Sequence, residues 1–252
     1  MFKRIFQLVS AVFVLSFGYC ISSYGGETPE RSFGFNAGAD IVNKFVWRGF
    51  SYSKNPVFQP SVTFGYKGAS INVWSNMDFG DENGKKGTFN EFDYTLDYTC
   101  DINSFSLSSG VLHYSYPDNY GVPTTEIYIG AAADAPGNPE IFVYRDVRDV
   151  NGTYIAIGGG TTLPVAVFEI EFTAFLGLAD KNHNNFYYNS DKSSLTDFFI
   201  GAGIPLIIAG KLSVTPNISF TSVIDKDIRQ SFDETGIDKE NLLFGVNFSA
   251  DF

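Results

Sequence analysis

Segment after segment of this chain alternates with a period of two, and no run of 18 apolar residues appears beyond the N-terminal stretch. The stretch EFDYTLDYTCD shows the pattern best. Phe92, Tyr94, Leu96, Tyr98 and Cys100 take one face, while Glu91, Asp93, Thr95, Asp97, Thr99 and Asp101 take the other. VAVFEIEFTAFLGL repeats it, setting Phe168, Ile170, Phe172, Ala174 and Leu176 against Glu169, Glu171 and Thr173. KLSVTPNISF places Leu212, Val214, Pro216, Ile218 and Phe220 together, and because proline cannot donate to a ladder a local bulge is expected there. DIVNKFVWRGF divides Ile41, Phe45 and Trp47 from Asp40, Lys44 and Arg48. Successive strand residues point to opposite faces, so each strand must serve one oily and one polar environment.

Candidate strands cover 33–48, 57–67, 69–76, 91–101, 104–116, 124–133, 140–147, 153–161, 165–178, 195–207, 211–223 and 241–252, which makes twelve, with ten or fourteen as alternatives. The connections between even and odd strands are short: KGA, DINS, DAPGNP, TTLP and IIAGK. Most of the others are long and polar: NMDFGDENGKKGTFN, ADKNHNNFYYNSDKSSLT and DKDIRQSFDETGIDKE. Short turns at one end and long loops at the other are the pattern of an outer-membrane barrel with periplasmic turns and extracellular loops. Nothing in a bilayer core satisfies a free N–H or C=O, so such a sheet must close on itself. The expected fold class is therefore an all-β, closed antiparallel transmembrane barrel, with apolar side chains toward lipid and polar ones toward the lumen. Trp47, Phe58 and Phe92 are expected in an outer aromatic belt and Tyr66, Tyr98 and Phe252 in an inner one. Trp74 shares a face with Asn72 and Asn76, so either it enters the lumen or its strand is bulged. YIAIGGG reads equally well either way round.

The two ends agree with export. Lys3 and Arg4 precede an uncharged apolar run to about Ile21, followed by Ser22, Ser23, Gly25 and Gly26. Residues 1–25 therefore read as a cleaved signal peptide and 26–252 as the barrel. Tyr19 is a poor residue to precede a lipidated Cys20. With Cys20 removed, Cys100 stands alone and a disulfide framework is excluded. At the other end, LLFGVNFSADF alternates Leu242, Phe244, Val246, Phe248, Ala250 and Phe252 against Leu243, Gly245, Asn247, Ser249 and Asp251. A final alternating strand ending in phenylalanine resembles the signal that outer-membrane barrels present to the barrel-assembly machinery, with Phe248 and Phe252 as its elements.

The formal charge of -11 excludes nucleic acid as an expected partner. The inward charges are the candidate pore lining: Asp40, Glu91, Asp93, Asp97, Glu126, Glu169 and Glu171, facing Lys44 and Arg48. In an open lumen these carboxylates would favour cations. In a plugged one, Lys44 and Arg48 would pair with them and narrow the barrel. His113 and Ser115 form H-x-S on one face, the spacing a lipid-modifying hydrolase would need, but no acid or Asn obviously shares that face. His183 lies in DKNHNNFYYNSDK without a second His or Cys, so no transition-metal site is expected. MDFGDENGKK lacks EF-hand spacing, and AIGGGTT precedes a strand, so neither a Ca²⁺ loop nor a phosphate loop is expected, and no cofactor.

Several stretches together resemble the TorF family of outer-membrane proteins: DIVNKFVWRGFS from Asp40, NPVFQPSVTFGY from Asn55, NVWSN from Asn72, EFDYTLDY from Glu91, GVLHYSYPD from Gly110 and TEIYIG from Thr125. They run in the family's order over most of the first half after the signal. The resemblance implies an outer-membrane barrel with suspected pore activity and carries over no catalytic or substrate-binding residue. The expected function is a channel for passive diffusion of small polar or cationic solutes. The alternative is a non-conducting barrel acting as a surface scaffold or receptor through its acidic loops. A lipid-modifying enzyme is the third and least favoured reading.

Overall fold

The computed structural model describes residues 33–117 and 121–252, so the candidate signal peptide lies outside the described residues. In chain order the elements are β1 (Gly34–Val42), the short pair β2 (Phe45–Trp47) and β3 (Phe50–Ser53), β4 (Val57–Tyr66), β5 (Ala69–Asp78), β6 (Phe89–Ile102), β7 (Phe105–Ser115), β8 (Thr124–Ala133), β9 (Glu140–Asp146), β10 (Thr153–Val165), β11 (Phe168–Ala179), α1 (Lys181–Tyr188), β12 (Ser194–Gly203), β13 (Leu206–Ala209), β14 (Leu212–Val223), α2 (Lys226–Thr235) and β15 (Glu240–Asp251). Twelve long strands make the wall, each antiparallel to the next in sequence; β13 is a four-residue strip at a turn and β2–β3 a separate hairpin. β1 pairs with β15, Ile41 opposite Val246, and β12 pairs with β14, Phe199 opposite Thr221, which closes the sheet. A closed sheet has no unpaired edge, the condition for crossing a bilayer with strands. No described helix is long and apolar enough to cross a membrane.

The period of two is realised along the wall. On β6, Tyr94, Leu96 and Tyr98 are exposed outward, whereas Glu91, Asp93, Thr95 and Asp97 are buried inward. β11 exposes Phe168, Phe172 and Leu176, and β15 exposes Leu242, Phe244 and Phe248, with Phe252 just beyond its end. Cys100 is half-buried and carries a free thiol. Turns gather at one end. Lys67 and Gly68 both have positive φ, 46° and 84°, as a two-residue hairpin turn in the sense of the sheet twist demands. The other end carries the long segments 79–88, 180–193 and 224–239.

Four details differ from the sequence reading. The first strand ends at Val42 and not at residue 48, and Phe45, Val46 and Trp47 turn inward, buried, on the β2–β3 hairpin. Trp47 therefore belongs to no lipid belt. TTLP is not a turn but the end of β10; the chain reverses at Ala166, whose φ is 56°. β12 stops at Gly203, and β13 follows as a separate strip in place of a strand running to residue 207. Pro216 introduces no bulge, since its pairing with Val246 lies in an unbroken register. In a strand the N and O of one residue point the same way. Pro216 O accepts from Ile204 N (3.1 Å), so the missing N–H faces the point where β12 leaves the sheet.

The two ambiguous segments resolve inward. Trp74 is a buried lumen residue, and Tyr154 and Ala156 of YIAIGGG point in while Ile155 and Ile157 point out. Large rings enter the lumen because the wall beside them is glycine. A Cβ at Gly130 would lie 2.2 Å from the Phe142 ring, and one at Gly158 2.3 Å from that of Phe175.

Candidate functional site

The lumen is graded along its axis. Toward the turn end the inward positions Thr99, Thr162, Glu169 and Ser249 are only half-buried. Toward the loop end Gln59, Leu112 and Tyr154 fall to 1 % and Asn76 to 0 %. The closure therefore sits at the loop end, and its material is the β2–β3 hairpin with α1 and α2 packed behind it.

The hairpin's two-residue tip is Arg48–Gly49, with φ 47° and 80° and with Trp47 paired to Phe50. The tip lies against the wall: a Cβ at Gly49 would come within 3.0 Å of Asp197 Cβ. From there Arg48, its side chain fully buried, reaches Glu126 on β8 in a forked pair, Nη1 to Oε1 and Nη2 to Oε2, each 2.8 Å. Tyr114 OH on β7 donates to Glu126 Oε2 (2.9 Å). The guanidinium also lies over the rings of Tyr154 (4.1 Å to centroid), Trp47 (4.3 Å) and Tyr144 (5.0 Å). A planar cation between aromatic faces and a bidentate carboxylate is the arrangement arginine fills and lysine does not.

Helix α1 supplies the next layer. Asp180 caps its N-terminus by accepting from His183 N (2.9 Å), and Asn189 ends it in the left-handed region. This places His183 Nε2 3.2 Å from Arg48 Nη1, and Tyr188 OH donates to Arg48 O (2.6 Å). Burial, and then the Arg48 charge, hold the His183 imidazole well below its ordinary range, so the ring is neutral and Nε2 accepts. Helix α2 runs from the Asp225 cap to Gly236 and turns Ile228 and Phe232 inward, with Phe232 edge-on to Phe50. Asp238, just beyond α2, clamps the hairpin's base by accepting from Lys44 Nζ (3.4 Å) and Lys54 Nζ (3.2 Å).

The expected lining residues fall into three groups. Glu91, Asp93, Asp97, Glu126 and Glu171 are buried and face inward, and Asp97 accepts from Tyr128 OH (2.6 Å) and Thr99 Oγ1 (3.0 Å). Asp40 and Glu169 are half-buried on inward positions, Asp40 accepting from Asn247 Nδ2 (3.1 Å). Lys44 and Arg48 leave the wall altogether: Lys44 sits at the loop rim, and Arg48 belongs to the cap. Sequence reasoning missed Asp197, which is 2 % exposed and accepts from Thr196 Oγ1 (2.7 Å) and Tyr154 OH (3.2 Å). It shares a face with Phe199, so alternation alone labels that face apolar. Among the ion-paired lysines and arginines of the described residues, Arg48 is the one whose side chain is fully buried, and it is set among inward carboxylates.

His113 and Ser115 both lie on β7, with His113 paired to Thr125 of β8. His113 Nδ1 meets Thr125 Oγ1 (3.0 Å) and its ring stacks on Tyr94, so a hydroxyl and not a carboxylate holds it. No group of three or more His, Cys, Asp or Glu that could hold a metal ion occurs among the described residues. In the loop after β5, Asp78 accepts from Ser53 Oγ (2.6 Å) and Asn83 Nδ2 (2.9 Å).

No protein-family model and no curated protein sequence matches the chain, so the TorF resemblance rests on the motifs that carry it. The fold is similar to that of the NanC porin, with TM-score 0.52 and 13% identity over 86% of this chain and 98% of that one. At that identity the likeness establishes the barrel fold alone. The KdgM porin also aligns, at TM-score 0.48 and 9% identity over 87% of this chain and 99% of that one. So does an outer membrane channel from Pseudomonas putida F1, at TM-score 0.48 and 8% identity over 92% and 98%.

Proposed function

We propose that this chain is an outer-membrane channel that passes small polar and cationic solutes, and that the arrangement described is its closed state. The observation that carries the reading is the lumen's charge. Asp93, Asp97, Glu171 and Asp197 line it, while the base buried with them, Arg48, is already matched by Glu126. An acidic, narrow, low-dielectric passage favours cations. Its polar turn end is the accessible one, and its loop end is shut by a hairpin that is not part of the wall. Export through a cleaved signal and assembly through the C-terminal strand, with Phe248 and Phe252 toward lipid, belong to the same reading.

The test is single-channel current after refolding into a planar bilayer under a salt gradient. Stepwise current with a cation-selective reversal potential is expected, and Asp93→Asn with Asp97→Asn should weaken the preference. A barrel that shows the heat-dependent gel shift of a folded protein yet stays silent at every voltage would overturn the channel and leave the scaffold reading.

A further inference from the structure

We infer that the inner wall of this barrel carries a binding site for guanidinium-bearing solutes, formed by Glu126, Tyr114, Tyr144 and Tyr154, and that Arg48 is a tethered occupant of it. Every group that grips the guanidinium from the wall lies on consecutive strands: Tyr114 on β7, Glu126 on β8, Tyr144 on β9 and Tyr154 on β10. Arg48 itself lies on a hairpin that pairs with none of them. The cradle is thus built into the rigid sheet, and its occupant is delivered by a separate element.

The geometry is selective for this cation. Glu126 presents both oxygens to Nη1 and Nη2 at 2.8 Å and is held in that orientation by the Tyr114 hydroxyl. Tyr154 and Tyr144 present ring faces at 4.1 and 5.0 Å. An ammonium ion cannot span two carboxylate oxygens and stack at the same time. Arg48 Nε, by contrast, is buried without a hydrogen-bond partner among the described residues. The wall therefore satisfies the outer edge of the guanidinium, the edge that any monosubstituted guanidinium solute presents. A solute entering from the lumen would compete with Arg48 for Glu126, and winning would free the hairpin tip. The same contacts would then both recognise the solute and open the cap.

The inference rests on the channel reading only for the solute's route; the site itself is read by binding. Arg48→Gly vacates the cradle and suits the positive φ of the tip. Methylguanidinium and methylammonium chloride, equal in charge, are titrated calorimetrically into the refolded barrel in micelles, with the gel shift as the folding control. The variant should bind methylguanidinium at least about tenfold more tightly than methylammonium, and adding Glu126→Gln should abolish that difference. The wild type should bind methylguanidinium at least about tenfold more weakly than Arg48→Gly, since Arg48 competes. Equal binding of the two cations, or a preference that survives Glu126→Gln, overturns the site. If Arg48→Gly does not fold, Arg48→Lys replaces it. That lysine should yield to methylguanidinium at about a tenth of the concentration the wild type needs, and equal concentrations overturn the inference. In bilayers, methylguanidinium but not methylammonium should raise the wild type's open probability. Binding without that rise keeps the site and discards the coupling to the cap, whereas a silent barrel that binds selectively counts against the channel alone.

Discussion

Arg48 and Glu126, 78 residues apart in sequence, meet as a two-pronged ion pair across the mouth of the barrel. One partner rides on the hairpin and the other on the wall, so the pair is where cap and barrel are joined. A buried pair gives little net stability when made, but losing one partner strands the other charge without solvent and costs about 3–5 kcal/mol. Glu126→Gln should therefore loosen the cap, and Arg48→Met combined with Glu126→Gln should loosen it less than Glu126→Gln alone. Amide hydrogen exchange over residues 45–53 reads both. Unchanged protection in Glu126→Gln would mean that the pair does not hold the hairpin.

Trp47 supplies the apolar half of the joint. Its ring meets Tyr187 at 4.8 Å, Tyr114 at 6.0 Å and His183 at 6.1 Å between centroids. Truncating a buried tryptophan costs about 3–5 kcal/mol. On the channel reading proposed above, Trp47→Ala should raise the open probability in bilayers while the heat-dependent gel shift of the barrel persists. A channel as closed as the wild type would place the gate elsewhere.

Acid should act on the cap through His183. Its folded pKa lies well below 6.5, lowered by burial and then by Arg48 at 3.2 Å. Once α1 lifts, the imidazole regains a value near 6.5 and takes up a proton that the closed form does not bind. Closed-state stability is thus complete above pH 6.5 and declines as pH falls below it, by about 1.4 kcal/mol for each pH unit until the folded pKa is reached. Exchange of α1 amides, corrected for intrinsic rate, should quicken between pH 7.5 and pH 5. His183→Gln keeps an acceptor for Arg48 and removes the titration, so its profile should be flat. A wild-type profile as flat as the variant's would rule out the histidine.

Much of the wall was legible in the sequence because alternation and turn chemistry are local. Glu91–Asp101 and Leu242–Phe252 place their side chains as period two dictates, and Lys67–Gly68 marks its turn by residue type. What escaped was whatever a third environment decides. Phe45 and Trp47 read as lipid-facing because alternation distinguishes two faces, not whether an oily face meets lipid or a packed cap. Asp197 hid on the face of Phe199, and the lumen rings hid because Gly130 and Gly158, which make room for them, leave no period of their own. Helix α2 did leave local signals: Asp225 as cap, Ile228 and Phe232 four apart, and Gly236 at the end with φ 73°. They are short and lie inside a polar connection between two strongly alternating strands, Leu212–Val223 and Glu240–Asp251. In α1, His183 and Tyr188 sit among asparagines, and their burial follows from Arg48, which no local pattern could announce.

Loop 147–152 offers a test of whether α1 must sit where it does. A Cβ at Gly152 would lie 2.5 Å from His183 N and 2.7 Å from its Cα. Those are backbone atoms that no rotamer change can clear, so Gly152→Ala must push the start of α1 outward. Overpacking of this kind costs about 1–3 kcal/mol. It should also draw His183 away from Arg48 and Asp180 away from Arg145, whose Nη1 lies 3.5 Å from it. Gly65→Ala is the matched control, since a Cβ there finds its nearest neighbour, Ala69 O, at 3.9 Å. Exchange protection over residues 181–188 should fall in Gly152→Ala and stay unchanged in Gly65→Ala. If Gly152→Ala retains full protection, α1 has room to move, and the cap is held by Arg48 and Trp47 without it.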